Sequence, residues 1–140
     1  MAFLSSLDIS ASALTAQRMR MDVISENIAN ATTTRTATGE PYRRRVVVMS
    51  EKPAAFSSVL SQATGGGVMV SGIVEDMSDF EYTYDPDHPD ANEQGYVAMP
   101  NVDDVEEIID LMSATRSYEA NVTVLNATKG MAMKALEIGR

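Results

Sequence analysis

Asp85, Asp87, Asp90, Asn92 and Glu93 place five oxygen-bearing side chains within nine residues, the donor chemistry of a calcium loop. The register does not fit. A twelve-residue calcium loop needs glycine at its sixth position and glutamate at its twelfth. Counted from Asp85, those positions hold Asp90 and Tyr96; counted from Asp87, they hold Asn92 and Ala98. With Pro86 and Pro89 inside it, the stretch reads as a proline-fixed acidic turn. His88 is the only histidine. A serine–histidine triad would need a nucleophile elbow such as G-x-S-x-G, and the chain has none. His88 therefore reads as a turn residue. Gly65-Gly66-Gly67 lacks the Lys-Ser or Lys-Thr that completes a phosphate-binding loop. Cysteine is absent, which removes disulfides, thiolate metal sites and a cysteine nucleophile. No catalytic residue, metal or cofactor is expected. A small metal-dependent hydrolase using the Asp85–Asp90 loop ranks third among the functional readings.

Charge points the same way. The net charge is -9 over 140 residues, and the acids concentrate in residues 51–100. Arg43-Arg44-Arg45 could touch phosphates, but it is one short run in an acidic chain, which is a poor generic binder of nucleic acid or anionic membrane. It reads as decoration of a strand, or as a partner for acidic surface on a neighbour. Asn30-Ala31-Thr32, Asn121-Val122-Thr123 and Asn126-Ala127-Thr128 match the glycosylation pattern; the last two fall in an expected helix, and all three are read as chance. No apolar run is long enough to span a bilayer. Met1-Ala2-Phe3-Leu4 lacks a basic lead and no apolar stretch follows, so no cleaved secretory signal is expected.

The informative pattern lies in the elements at the two ends. Leu7, Leu14, Met21 and Ile28 recur every seven residues. Ile108, Leu111, Thr115, Tyr118, Val122, Leu125, Lys129, Ala132 and Leu136 step by three and four. Both are amphipathic helix patterns of the kind that seek partner helices. The first helix is expected from Leu4 to Ala31, capped by Ser5 or Ser6 with Asp8 in its first turn, and stopped by the β-branched run Thr32-Thr33-Thr34. The second is expected to start from an Asn101 cap, with Asp104 in a capping-box-like position, and to stop at Gly139. Gly130 inside it suggests close packing. Ten methionines suit adaptable helix contacts.

Between the helices, Tyr42 to Met49 reads as a strand. Val68-Met69-Val70 and Ile73-Val74 read as one or two short strands broken at Gly72. Phe80 to Tyr84 and Tyr96 to Met99 read as two more, and residues 50–67 as a loop. The expected fold class is α+β, mainly α: long N- and C-terminal helices paired as a coiled coil around a small β-rich middle. Residues 1–34 and 101–140 form the helical core and residues 35–100 the middle. With so little body to cover them, the helices are expected to fray in an isolated monomer and to bury a second face on neighbouring subunits.

Particular motifs sharpen this reading. Ser12-Ala13-Leu14-Thr15-Ala16-Gln17 with Asn27-Ile28-Ala29-Asn30-Ala31 resembles the N-terminal motif of the bacterial flagellar axial proteins, which build rod, hook and hook–filament junction. Val105-Glu106-Glu107-Ile108-Ile109 through Ala114-Thr115-Arg116-Ser117-Tyr118-Glu119-Ala120-Asn121 resembles their C-terminal motif. Gly39-Glu40-Pro41-Tyr42-Arg43 and His88-Pro89-Asp90-Ala91 through Gly95 to Val102 are similar to the short proximal-rod members. The chain departs from the family pattern at Ser25-Glu26-Asn27.

The resemblance implies a structural, non-enzymatic subunit of the flagellar basal-body rod. It would lie in the periplasm and assemble with copies of itself and with other rod proteins in a helical tube. It would be exported unfolded by the flagellar type III apparatus. It also implies that Leu7, Leu14, Met21 and Ile28 pack against Ile108, Leu111, Tyr118, Val122, Leu125 and Leu136, within and between subunits. By the same resemblance, Asn27, Asn30, Arg116, Tyr118 and Asn121 set register. The alternative reading is a secreted adaptor or export chaperone with exposed amphipathic helices.

Overall fold

A computed structural model describes residues 2–52 and 66–138, with side chains from Ser5 onward. The expected stop at Gly139 and most of the 50–67 loop lie outside the described residues. Helix α1 spans Ala2–Ala29 and helix α2 spans Asp104–Ile138; at 1.5 Å per residue they are about 42 and 52 Å long. Strands β1 (Arg45–Glu51) and β2 (Val68–Glu75) pair antiparallel, as do β3 (Glu81–Tyr84) and β4 (Tyr96–Met99). The fold is α+β and mainly helical, with two two-stranded sheets between the helices.

Helix α1 is the central element. It packs against α2 and also against both strands of the β1–β2 hairpin, whereas α2 packs against α1 alone among the described elements. Being covered by two neighbours moves the most buried line of α1 away from the heptad of Leu7, Leu14, Met21 and Ile28, which are half-buried, to Ala16, Val23, Ile24 and Asn27. On α2 the buried positions are Glu107, Ala114 and Thr128, with half-buried Asn121 completing steps of seven. Leu111, Tyr118, Leu125 and Ala132, all half-buried, run beside them at the same interval. This is the geometry of an a/d seam, with small and polar residues on one line and larger ones on the other.

Several local expectations are corrected. Helix α1 begins at Ala2, so Ser5 and Ser6 lie within it rather than capping it, and Asp8 falls beyond the first turn. Asn101 does not cap α2. The cap is Asp103, whose Oδ1 accepts from the backbone N–H of Val105 and Glu106 at 2.8 and 3.3 Å. Asn101 is engaged elsewhere: it accepts from the Arg44 N–H and donates to the Asp76 carbonyl and Ser78 Oγ. The same contact delays β1 to Arg45, because the Tyr42 N–H already donates to the Thr33 carbonyl and that of Arg44 to Asn101.

Strand β2 is not broken at Gly72. It runs through as one strand with a register shift where Val48 pairs Gly72 and Met49 pairs Val70. The bulge absorbs one residue. Val68 and Val70 before it, and Ile73 after it, thereby stay on the same face as their partners Glu51, Met49 and Val47 despite the change of parity. Gly130 is not a close-packing site, since a Cβ there would meet no atom within 4 Å. Gly67, in contrast, has φ of 88° and would place a Cβ 2.6 Å from Ser12 Oγ. Ser12 Oγ accepts from the Val68 N–H at 3.1 Å and donates to the Ile9 carbonyl, pinning the hairpin to α1.

Candidate functional site

The structure concentrates its buried polar chemistry where the two helices meet the start of the hairpin. Asn27 is 1% exposed. Its Nδ2 donates to Glu107 Oε2 and to the Arg45 carbonyl, both at 2.9 Å. Its Oδ1 accepts from the Arg45 N–H and the Tyr42 hydroxyl, both at 3.0 Å. Every donor and acceptor of the amide is thus satisfied. Glu107 is 0% exposed, and its other oxygen accepts from Arg44 Nε. An unpaired carboxylate at that depth would be strongly unfavourable, and this one is both hydrogen-bonded and charge-paired.

Arg44 organises the surrounding acids. Its guanidinium lies 3.7 to 3.8 Å from carboxylate oxygens of Asp76, Glu106 and Asp110, and Asp110 is shared with Arg20 at 3.3 Å. Burial alone would lower the Arg44 pKa; the hydrogen bond to Glu107 and the charges of Glu107, Glu106 and Asp110 outweigh it and raise it. Burial raises the Tyr42 hydroxyl, with a further push from the Glu26 charge. Asp76 is held low by hydrogen bonds from Ser78, with help from Arg44. The arginine run therefore finds its acids within the chain rather than on a neighbour: Arg44 at this node, and Arg45 on Glu26 and Glu75. Arg43 stacks over Phe80, its guanidinium carbon 4.2 Å from the ring centre.

The remaining motif residues divide into local and outward groups. Asn30 donates to the Glu26 carbonyl and accepts from Thr33 Oγ1, closing the end of α1. Asn121 donates to the Ser117 carbonyl within its own helix. Tyr118, Val122 and Leu125 are half-buried, and Arg116 is exposed. Ile108 and Leu136 are exposed, at 49% and 76%. They belong to an uncovered apolar set on α2 that includes Val105, Ile109, Met112, Val124, Met131, Met133 and Ile138. In the acidic loop, His88 Nδ1 accepts from the Asp90 N–H, while Asp90 accepts from Thr34 Oγ1 and pairs with Arg35. The Asp90 oxygens thus tie the loop to the segment that follows α1.

Sequence reasoning gives none of Glu107, Arg44, Tyr42 and Asn101 a place in a buried node: Arg44 reads as strand decoration, Asn101 as a helix cap, and Glu107 and Tyr42 only as parts of motifs. One signal was present for Glu107: it stands seven residues before Ala114, fourteen before Asn121 and twenty-one before Thr128. A carboxylate heading a line of small and polar seam positions is a buried-partner pattern.

The geometry is that of a helix pair locked by a polar node, with apolar side chains left exposed along α2. The chain is 59% identical to the flagellar basal-body rod protein FlgC of Bacillus subtilis, over 96% of this chain and 97% of that protein. It belongs to the FlgC family of flagellar basal-body rod proteins. The FlgC of Borreliella burgdorferi is 44% identical, over 99% of this chain and 98% of its own length. The FlgC of Escherichia coli O6:H1 is 44% identical over the full length of both. Residues 7–35 match the family described as flagella basal body rod protein, and residues 93–138 the one described as flagellar basal body rod FlgEFG protein C-terminal. The first match contains Asn27 and the second Glu107. In this FlgC-family chain no described helix is long and apolar enough to cross a membrane.

Proposed function

We propose that this chain is a non-enzymatic structural subunit of the proximal rod. There it forms part of the drive shaft that carries torque outward, and part of the tube through which other axial proteins are exported. The observation that carries this reading is the number of large apolar side chains that α2 leaves exposed. Val105, Ile108, Ile109, Met112, Val124, Met131, Met133, Leu136 and Ile138 are all exposed in a single chain. They fall in two stretches, 105–112 and 124–138. Large apolar side chains left exposed in this number mark an interaction surface, and on a helix they ask for other helices.

In this reading residues 1–34 and 101–140 form the core of the tube and residues 35–100 the outer, β-rich part. Leu7, Leu14, Met21 and Ile28 pack with Leu111, Tyr118, Val122 and Leu125 in the helix pair, while Ile108 and Leu136 pack between subunits. Asn27, Asn30, Arg116, Tyr118 and Asn121 set register. The chain reaches the periplasm unfolded, through the flagellar type III apparatus and without a cleaved signal. Interdigitated side chains spread torque over many helices.

Cryo-electron tomography of basal bodies from a strain lacking this chain, beside its parent, tests the assignment. The expected result is loss of the rod with the membrane ring and export apparatus intact. A complete rod and hook would overturn it and favour a secreted adaptor.

A further inference from the structure

The β3–β4 hairpin presents an aromatic face that nothing among the described residues covers. Tyr82 and Tyr84 point to one side of β3, and Tyr96 stands opposite Tyr84 across the pairing. They are 66%, 63% and 43% exposed. Tyr84 is held in place. Gly95, at φ of 81°, lies so close that a Cβ there would come within 2.9 Å of the ring. Pro86 flanks the same spot, and the Tyr96 ring meets Tyr84 edge-on with centroids 5.3 Å apart. Rigid exposed tyrosines make binding anchors because little conformational entropy is lost when they are covered.

This face is also strongly negative. No lysine or arginine occurs between Lys52 and Arg116, a stretch that holds thirteen aspartates and glutamates. Those near the helix pair are neutralised by Arg44 and Arg20. Asp79, Glu81, Asp85, Asp87 and Glu93, on and around the hairpin, form no ion pair among the described residues. A partner for this face must bring positive charge.

The matching surface lies on the same chain. Arg116 is exposed on the side of α2 opposite the Glu107–Ala114 line, at the rim of a shallow depression lined by Ile109, Met112, Ser113 and Ser117. Arg116 forms no ion pair among the described residues. Apolar floor and unpaired guanidinium complement tyrosine rings and unpaired carboxylates, since arginine stacks on aromatic faces and pairs with acids. Within one chain Arg116 points away from the rest of the fold.

We infer that the occupant is a second copy of this chain: the Tyr82–Tyr84–Tyr96 face of one copy seats on the Ile109–Met112–Arg116 surface of the next. Two acidic hairpins would repel each other, which disfavours a symmetric pairing. A contact between two different surfaces instead propagates by repeated rotation and generates an open helical array. The inference rests on the rod reading and specifies one of its contacts.

The absence of cysteine makes a clean test. Basal bodies are purified from a strain whose only copy carries Tyr84→Cys and Arg116→Cys, and treated with a short bifunctional maleimide. A second pair, Glu93→Cys with Ser113→Cys, leaves Tyr84 and Arg116 intact should the first fail to assemble. The expected result is a ladder of products at multiples of the chain mass, starting at twice that mass, in the paired variants and none in any single variant. A single-variant product, a product joined to a different basal-body protein, or no product with the chain present in the particles would overturn the inference. Absence of the unaltered chain from purified basal bodies would overturn the rod reading itself.

Discussion

The Asn27 side-chain amide of α1 donates to Glu107 Oε2 of α2 at 2.9 Å, between two residues that are almost entirely withdrawn from solvent. The bond joins the helices directly. Through Tyr42, Arg44 and Arg45 it also ties both to the entry of the hairpin. A polar contact of this kind selects one register, because sliding either helix by a turn would leave an amide and a carboxylate buried without partners.

The two sides of the Glu107 ion pair should not be equally sensitive. Arg44→Ala strands a buried carboxylate and should cost about 3 kcal/mol. Glu107→Gln keeps the shape and leaves Arg44 near three other acids, so about 1 kcal/mol is expected. Urea unfolding of the purified chain measures both, and an equal or reversed order would contradict the node as described.

Alkaline pH should weaken the same node. The Tyr42 hydroxyl has its pKa raised above the ordinary 10.0, chiefly by burial. A raised folded-state value means the folded chain holds that proton more tightly than the unfolded one. The resulting stability is fully present below pH 10.0 and is lost as pH rises through the folded-state value. Stability should therefore decline above about pH 10 in the parent. In Tyr42→Phe the decline should be shallower, as thermal melting against pH would show.

Two glycine substitutions should have opposite signs. Gly130→Ala adds a methyl group to an open helical position and should stabilise by about 1 kcal/mol. Gly67→Ala forces a Cβ toward Ser12 Oγ at positive φ and should destabilise by about 1–3 kcal/mol. Denaturant midpoints of the two variants decide the matter.

Seam and outer face should separate in their phenotypes. Leu14→Asp and Leu125→Asp, at half-buried positions, should both lower chain stability and abolish motility without stopping synthesis. Ile109→Asp and Leu136→Asp replace side chains already exposed in the single chain. Their effect on its melting should stay within about 0.5 kcal/mol, yet swimming should be lost. Normal swimming by the second pair would remove the argument for an apolar docking face on α2.

Much of the fold was legible along the chain because its signals are local. The seven-residue recurrence of Leu7, Leu14, Met21 and Ile28, and the three-and-four steps from Ile108, depend only on helical geometry. The short extended piece Tyr96–Met99 is legible with its observed limits. What was misread depended on competition from distant residues. Asn101 has the chemistry of a helix cap, but Arg44, Asp76 and Ser78 claim its amide, and Asp103 takes the role. Tyr42 to Arg44 have strand character, but their N–H groups or side chains are engaged by Thr33, Asn101 and Glu107.

The sequence by itself determined that two long helices flank a small β-rich, acidic middle, since periodicity, turn residues and charge are written residue by residue. Only the tertiary structure decided which line of each helix is buried, and that Glu107 sits at the centre of the node. Burial depends on what covers a surface. Here α1 is covered from two sides and α2 from one, so a carboxylate that would be solvated on an isolated helix becomes its most enclosed side chain.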